Sequence, residues 1–119
     1  MPAVVEFEPG DICVLRISGL LKYSEWAAEQ SGIAARIEAG ARPRLLAIFD
    51  DFAGWERDPN WNDLEFFMAH GDEIARIALV AEPQWEERAV AFAGGGLRRA
   101  PVKFFRPDEL AEARAWLTE

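Results

Sequence analysis

The sequence predicts an α/β domain spanning residues 1–119: a mixed sheet of about five strands, an N-terminal antiparallel hairpin and then three parallel strands, with four main helices. Three observations predict it. Short β-rich runs alternate with segments of helical period. The first two runs are joined by a turn-forming tetrapeptide. The three later runs are apolar on both faces, and each is followed by a segment of helical period that opens near a proline. The chain has 119 residues, half of them apolar, which is the length of one domain and enough to bury a core.

Val4 to Phe7 and Ile12 to Ser18 read as the hairpin strands, joined by Glu8-Pro9-Gly10-Asp11. In the second of them Cys13, Leu15 and Ile17 share one face, Ile12, Val14, Arg16 and Ser18 the other, and Gly19 ends the run. Ser24 suits the N-cap of a helix from Glu25 to Ala39, with Trp26, Ile33 and Ile37 on one stripe and Gly40 as its stop. Arg44 to Phe49, Arg76 to Ala81 and Val102 to Phe105 are the doubly apolar strands. Asp58-Pro59 starts the next helix, striped by Trp61, Leu64, Phe67 and Met68. Pro83 opens another, in which Trp85, Ala89 and Phe92 align before Gly94-Gly95-Gly96. Pro107 opens the last, where Asp108 and Glu109 favour the positive end and Leu110, Ala113 and Leu117 face inward.

The net charge of −8 repels a phosphate backbone, so nucleic acid is excluded as the main partner, and contact with an anionic membrane is at most peripheral. The single cysteine, Cys13, allows no intrachain disulfide and reads as a small buried hydrophobe. The first residues lack the basic and apolar regions of a secretory signal, and no apolar run approaches the roughly 20 residues that span a bilayer. A cytoplasmic location is expected. The strand face carrying Ile12 and Val14 needs a cover, which makes a homodimer an expectation.

Ligands of open α/β sheets collect at the carboxyl ends of the parallel strands. That edge comprises Asp50 to Asp58, Glu82-Pro83-Gln84 and Arg106-Pro107-Asp108. Asp50 and Asp51 could act as an acid–base pair or hold a metal, but adjacent strand residues point apart and no further ligand set is spaced for a metal. A turn acid and a helix-capping acid are the simpler roles. His70 falls on the helix side away from the apolar stripe, as a surface histidine does. No nucleophile elbow, phosphate loop or zinc spacing occurs. No catalytic residue, metal or cofactor is expected. Gly94-Gly95-Gly96-Leu97-Arg98-Arg99, with Lys103 and Arg106, is the basic cluster, and a loop after a helix end explains it without an anion.

The aromatics say more: five tryptophans and eight phenylalanines exceed what a core of this size needs. Phe66 lies about 140° around the helix from Trp61, and Trp55 falls in the expected loop. Phe52, Trp55, Trp61 and Phe66 could wall an apolar pocket, with Arg57 or a helix N-terminus meeting a polar head group. A lid over the core would use the same rings.

From Gly19 nearly to the end, the chain resembles the SpoIIAA-like family, related to STAS domains. The resemblance is carried by Leu45 to Trp55 with its Asp-Phe-x-Gly-Trp, then Trp61, Asp63-Leu64 and Phe67, then Ile74 to Val80. It continues in Trp85-Glu86-Glu87 and in Phe104-Phe105-x-Pro-Asp-Glu-Leu with Glu112-Ala113 and Trp116-Leu117. It implies a STAS-type sheet, no known catalytic activity, a fold like that of CRAL-TRIO lipid-binding domains, and an apolar ligand or membrane association. Anti-sigma-factor antagonists of this kind carry a phosphorylatable serine after the central strand. Asp50-Asp51-Phe52-Ala53-Gly54 stands there instead, which removes the hydroxyl a phosphoswitch needs. The expected function is a binding module for a small apolar or lipid-like ligand. The alternative is a STAS-type regulatory domain that binds a protein partner through the same edge without phosphorylation.

Overall fold

The computed structural model describes residues 3–57, 74–92 and 101–119. Five strands form one sheet: β1 (Ala3–Glu8), β2 (Ile12–Leu21), β3 (Arg44–Trp55), β4 (Arg76–Val80) and β5 (Val102–Phe105). Their order across the sheet is their order in the chain. β1 and β2 pair antiparallel around the Pro9-Gly10-Asp11 turn, and β2 to β5 run parallel. The hairpin and the parallel strands that follow are those the sequence predicts.

Three α-helices lie among the described residues, against four expected: α1 (Tyr23–Glu38), α2 (Glu86–Phe92) and α3 (Leu110–Leu117). The helix expected from Pro59, with Trp61 and Phe66, falls outside the described residues, as do His70 and the Gly94–Arg99 run. Both prolines at the later helix starts head short 3-10 turns, Pro83–Trp85 and Pro107–Glu109, that run into α2 and α3. Glu109 turns its carboxylate back to accept the Arg106 N–H at 2.8 Å, closing the last of these starts.

Crossovers of one hand that all step in one direction along a sheet place their helices on one face. α1 and α2 pack there: Ile33, Ile37 and Ala89 are buried with Cys13, Leu15, Ile17, Leu45, Ala47, Ile77 and Leu79. α3 follows the last strand and folds under the other face, where Ala113 and Leu117 bury Val14, Leu46, Ala78, Val80 and Phe105. Ile12 packs against the same cluster, so the face of Ile12 and Val14 is covered by the chain's own last helix and needs no second copy for that. Central strands β3 and β4 are thus buried on both faces, which their unbroken apolar runs foretell.

Polar contacts fix how α3 sits. The sheet adds donors to the closing carbonyls of this helix. Arg44 donates to the Leu117 carbonyl and Arg76 to the Trp116 carbonyl at 2.6 Å. These two arginines are register partners at the starts of β3 and β4, so the sheet supplies positive charge at the negative end of the helix. At the other side Arg114 donates to both carboxylate oxygens of Glu8, at 3.1 and 3.4 Å, tying α3 to β1. The Arg114 hydrogen bond holds the Glu8 pKa below its ordinary 4.5, partly opposed by desolvation. A carboxylate with a lowered folded pKa stabilises above its unfolded pKa, and the gain is lost as pH falls through the folded one. Glu8→Gln is therefore expected to lower stability at pH 7, with the difference from wild type lost at a pH acidic enough to protonate the carboxyl in both the folded and unfolded states. Urea titrations at the two pH values measure this.

Candidate functional site

The expected loop at Asp50 is a strand. β3 continues to Trp55 beside β2, which itself runs past Gly19 to Leu21. The two strands keep step only by bulging. Ile17, Gly19 and Leu21 stand opposite Phe49, Phe52 and Trp55, so β3 spends three residues wherever β2 spends two. The shifts fall between Ile17 and Gly19 and between Gly19 and Leu20, and the β3 residues at positive φ are Asp51 (51°) and Gly54 (112°). A spacing of three would send successive side chains to opposite faces of a regular strand. One extra residue in each interval restores the phase, so Phe49, Phe52 and Trp55 all turn to the α1–α2 face.

The rings meet as a row. Phe52 lies edge-on to Phe49 at 4.8 Å and to Trp55 at 4.7 Å between centroids. Trp85, in the 3-10 turn after β4, closes the group at 5.0 Å from Phe52 and 6.0 Å from Trp55. Phe49 is buried, whereas Phe52, Trp55 and Trp85 pack on the core yet keep part of their surface in solvent. The edge therefore presents a half-open aromatic wall. Arg57, two residues beyond Trp55, is exposed. Arg88 of α2 stands 6.0 Å from the Trp85 ring centre, at the outer reach of a cation–π contact.

The end of the segment is fastened. The Glu56 N–H donates to the Leu21 carbonyl at 3.0 Å, and the Glu56 carboxylate accepts the Tyr23 N–H at 2.7 Å. α1 therefore begins at Tyr23, capped by a carboxylate from β3's end rather than by Ser24 as expected, and Lys22 occupies the N-cap position without a side-chain bond.

Of the residues singled out in the sequence, the structure brings Phe52 and Trp55 together and leaves Arg57 exposed beside them; Trp61 and Phe66 lie outside the described residues. Trp85, which aligns with Ala89 and Phe92 in the sequence, packs against the core and also faces the same wall. Its place directly after a strand end and Glu82-Pro83 is the signal that puts it on the carboxyl edge. Asp50 and Asp51 are exposed, and no group of three metal-ligating side chains occurs among the described residues. At the opposite end of the strands, a hollow of about 30 Å³ beside Cys13 and Arg36 has room for one water.

Cys13 is sealed in the core, and desolvation pushes its thiol up to about 12. The thiolate that reacts with disulfide reagents is scarce at pH 8. Labelling of native protein by a chromogenic disulfide is expected to be at least about a hundred-fold slower than in denaturant. Stopped-flow absorbance compares the two.

A five-stranded mixed sheet in chain order with helices on both faces defines a STAS-like α/β domain. The SpoIIAA-like family model matches residues 12–118, and the chain belongs to that family. A solved structure of an uncharacterized protein from the DUF3478 family, from Shewanella loihica PV-4, has a SpoIIAA-like fold and is similar throughout. The likeness covers 97% of this chain and 91% of that one, with a TM-score of 0.68 at 20% identity. No curated protein matches the chain. No helix among the described residues is long and apolar enough to cross a membrane.

Proposed function

We propose that this SpoIIAA-like domain is a non-catalytic, cytoplasmic binding module that receives a small apolar or lipid-like ligand at the carboxyl edge of its sheet. The observation that carries the reading is the doubly bulged end of β3, which sets Phe52 and Trp55 on one face beside Trp85 without sealing them. A strand that only needed to fill a core would keep plain alternation; here two residues at positive φ hold three rings in line. Exposed aromatic surface gains most from an apolar partner, at roughly 25 cal/mol per Å² buried. Arg57, exposed two residues beyond Trp55, would meet a polar or anionic head group, and Trp61 and Phe66 are assigned the remaining wall from the sequence alone.

The test uses purified full chain, native mass spectrometry for co-purified ligand, and quenching of tryptophan fluorescence by oleate and by phosphatidylglycerol vesicles. Wild type is expected to bind one of these, with Phe52→Ala and Trp55→Ala weakening it about ten-fold or more. No bound species together with no response to either probe would remove the reading.

A further inference from the structure

We propose that β1 is a pairing edge for a second copy of this chain, joined antiparallel about a two-fold axis through Val5. No strand among the described residues pairs with its outer side. The other edge, β5, is four residues long and carries Lys103, a short charged edge that resists pairing. β1 is six residues long, pairs with β2 without a register shift, and contains neither lysine nor proline. Its two charges are answered at home, Glu6 by Arg16 at 3.7 Å and Glu8 by Arg114 at 3.1 Å. The large apolar side chains exposed among the described residues are Val4 (43%), Phe7 (40%) and Leu20 (45%), all on this hairpin. Arg36 lies over the Phe7 ring at 4.0 Å, and Phe7 remains exposed even so.

Charge selects the partner and the register. A two-fold axis perpendicular to the sheet keeps faces matched only when it passes through a residue, since side chains alternate along the strand. An axis at Glu6 would set Glu6 against the partner's Glu6, like charge against like. An axis at Val5 sets Val4 against the partner's Glu6. Because Val4 already pairs with Arg16 and Glu6 with Val14, each row across the joint reads Arg16, Val4, the partner's Glu6. The same row recurs on the other side of the axis, so each acid faces a base across one valine. This self-complementarity favours another copy over an unrelated extended peptide.

Sedimentation equilibrium on the full chain, with Glu6→Arg and the swap Glu6→Arg/Arg16→Glu, tests it. These side chains are 56% and 53% exposed, so the fold should survive, and circular dichroism verifies that. Wild type is expected to dimerise, Glu6→Arg to weaken the dimer about ten-fold or more, and the swap to recover it. Val5→Cys adds geometry. Facing Cα atoms in an antiparallel pair are about 4.5–5.5 Å apart, within disulfide range, so mild oxidation should yield a covalent dimer. Wild type that stays monomeric overturns the proposal. So does a dimer that ignores the charge swap and forms no cross-link at position 5.

Discussion

Replacing Leu46 with alanine is expected to cost about 4 kcal/mol of unfolding free energy, the upper part of the range for buried leucines. Leu46 is fully buried in the middle of β3, on the face that α3 covers. The cost depends on whether neighbours can move into the space left behind. Here they cannot easily do so: its register partners are Val14 and Ala78, held in the sheet ladder, and the helix above contributes Ala113 and Leu117. Ala78 and Ala113 are already the size of the new side chain. Small domains have about 5–15 kcal/mol in total, so this one change removes a large share. Urea unfolding should show a lower midpoint at unchanged slope. Ile48→Ala, on the same face but only half-buried, should cost less than half as much. A loss below about 1 kcal/mol for Leu46→Ala would mean that α3 is not seated on the sheet.

The second large effect is expected at Gly54. Alanine there is predicted to cost about 1–3 kcal/mol and to disturb the aromatic row. Two causes compete, and distances separate them. A Cβ at Gly54 would lie 3.5 Å from Trp85 Cη2 and 3.7 Å from Cζ3, which is ordinary van der Waals contact. The φ of 112° is the larger obstacle, because a side chain disfavours that backbone state. Relief requires rotating the backbone inside the bulge, and the bulge is what aligns Trp55 with Phe52. Loss of stability should therefore accompany a changed near-ultraviolet circular dichroism signal from Trp55 and Trp85. Gly32→Ala is the control of opposite sign: it lies in α1 with nothing within 4 Å and should stabilise by about 0.5–1 kcal/mol. Gly54→Ala with unchanged stability and spectrum would show that the backbone there is not constrained.

Patterns of period two and of helical period made the sheet and the described helices legible in the sequence. Arg44 to Phe49 announced a strand buried on both faces because neither side of it was polar, and Leu117 and Ala113 announced the covering face of α3 by their spacing. The second half of β3 was not legible. Asp50-Asp51-Phe52-Ala53-Gly54 has loop composition, and its apolar residues recur at three, a spacing that fits no regular strand. Only the register with β2 shows that each interval holds one surplus residue. The start of α1 was misplaced for a related reason: its cap comes from Glu56, 33 residues away, and local capping rules see only Ser24. Phe52 and Trp55 were picked out as surplus aromatics, which is a compositional argument; their joint orientation is a tertiary one. Trp85 was hidden because a tryptophan beside a helix start fits a core stripe equally well.

The strand order has a consequence for synthesis. Each strand lies next to the one translated just before it, so none has to be inserted between two that are already zipped together. A nascent chain can lay down the hairpin first and extend one growing border as it leaves the ribosome. Among the described elements the last helix reaches back farthest along the chain, where Arg114 finds Glu8 across 106 residues. Docking that helix is then the closing event, and until it happens Val14 and Leu46 stay open to water and to other nascent chains.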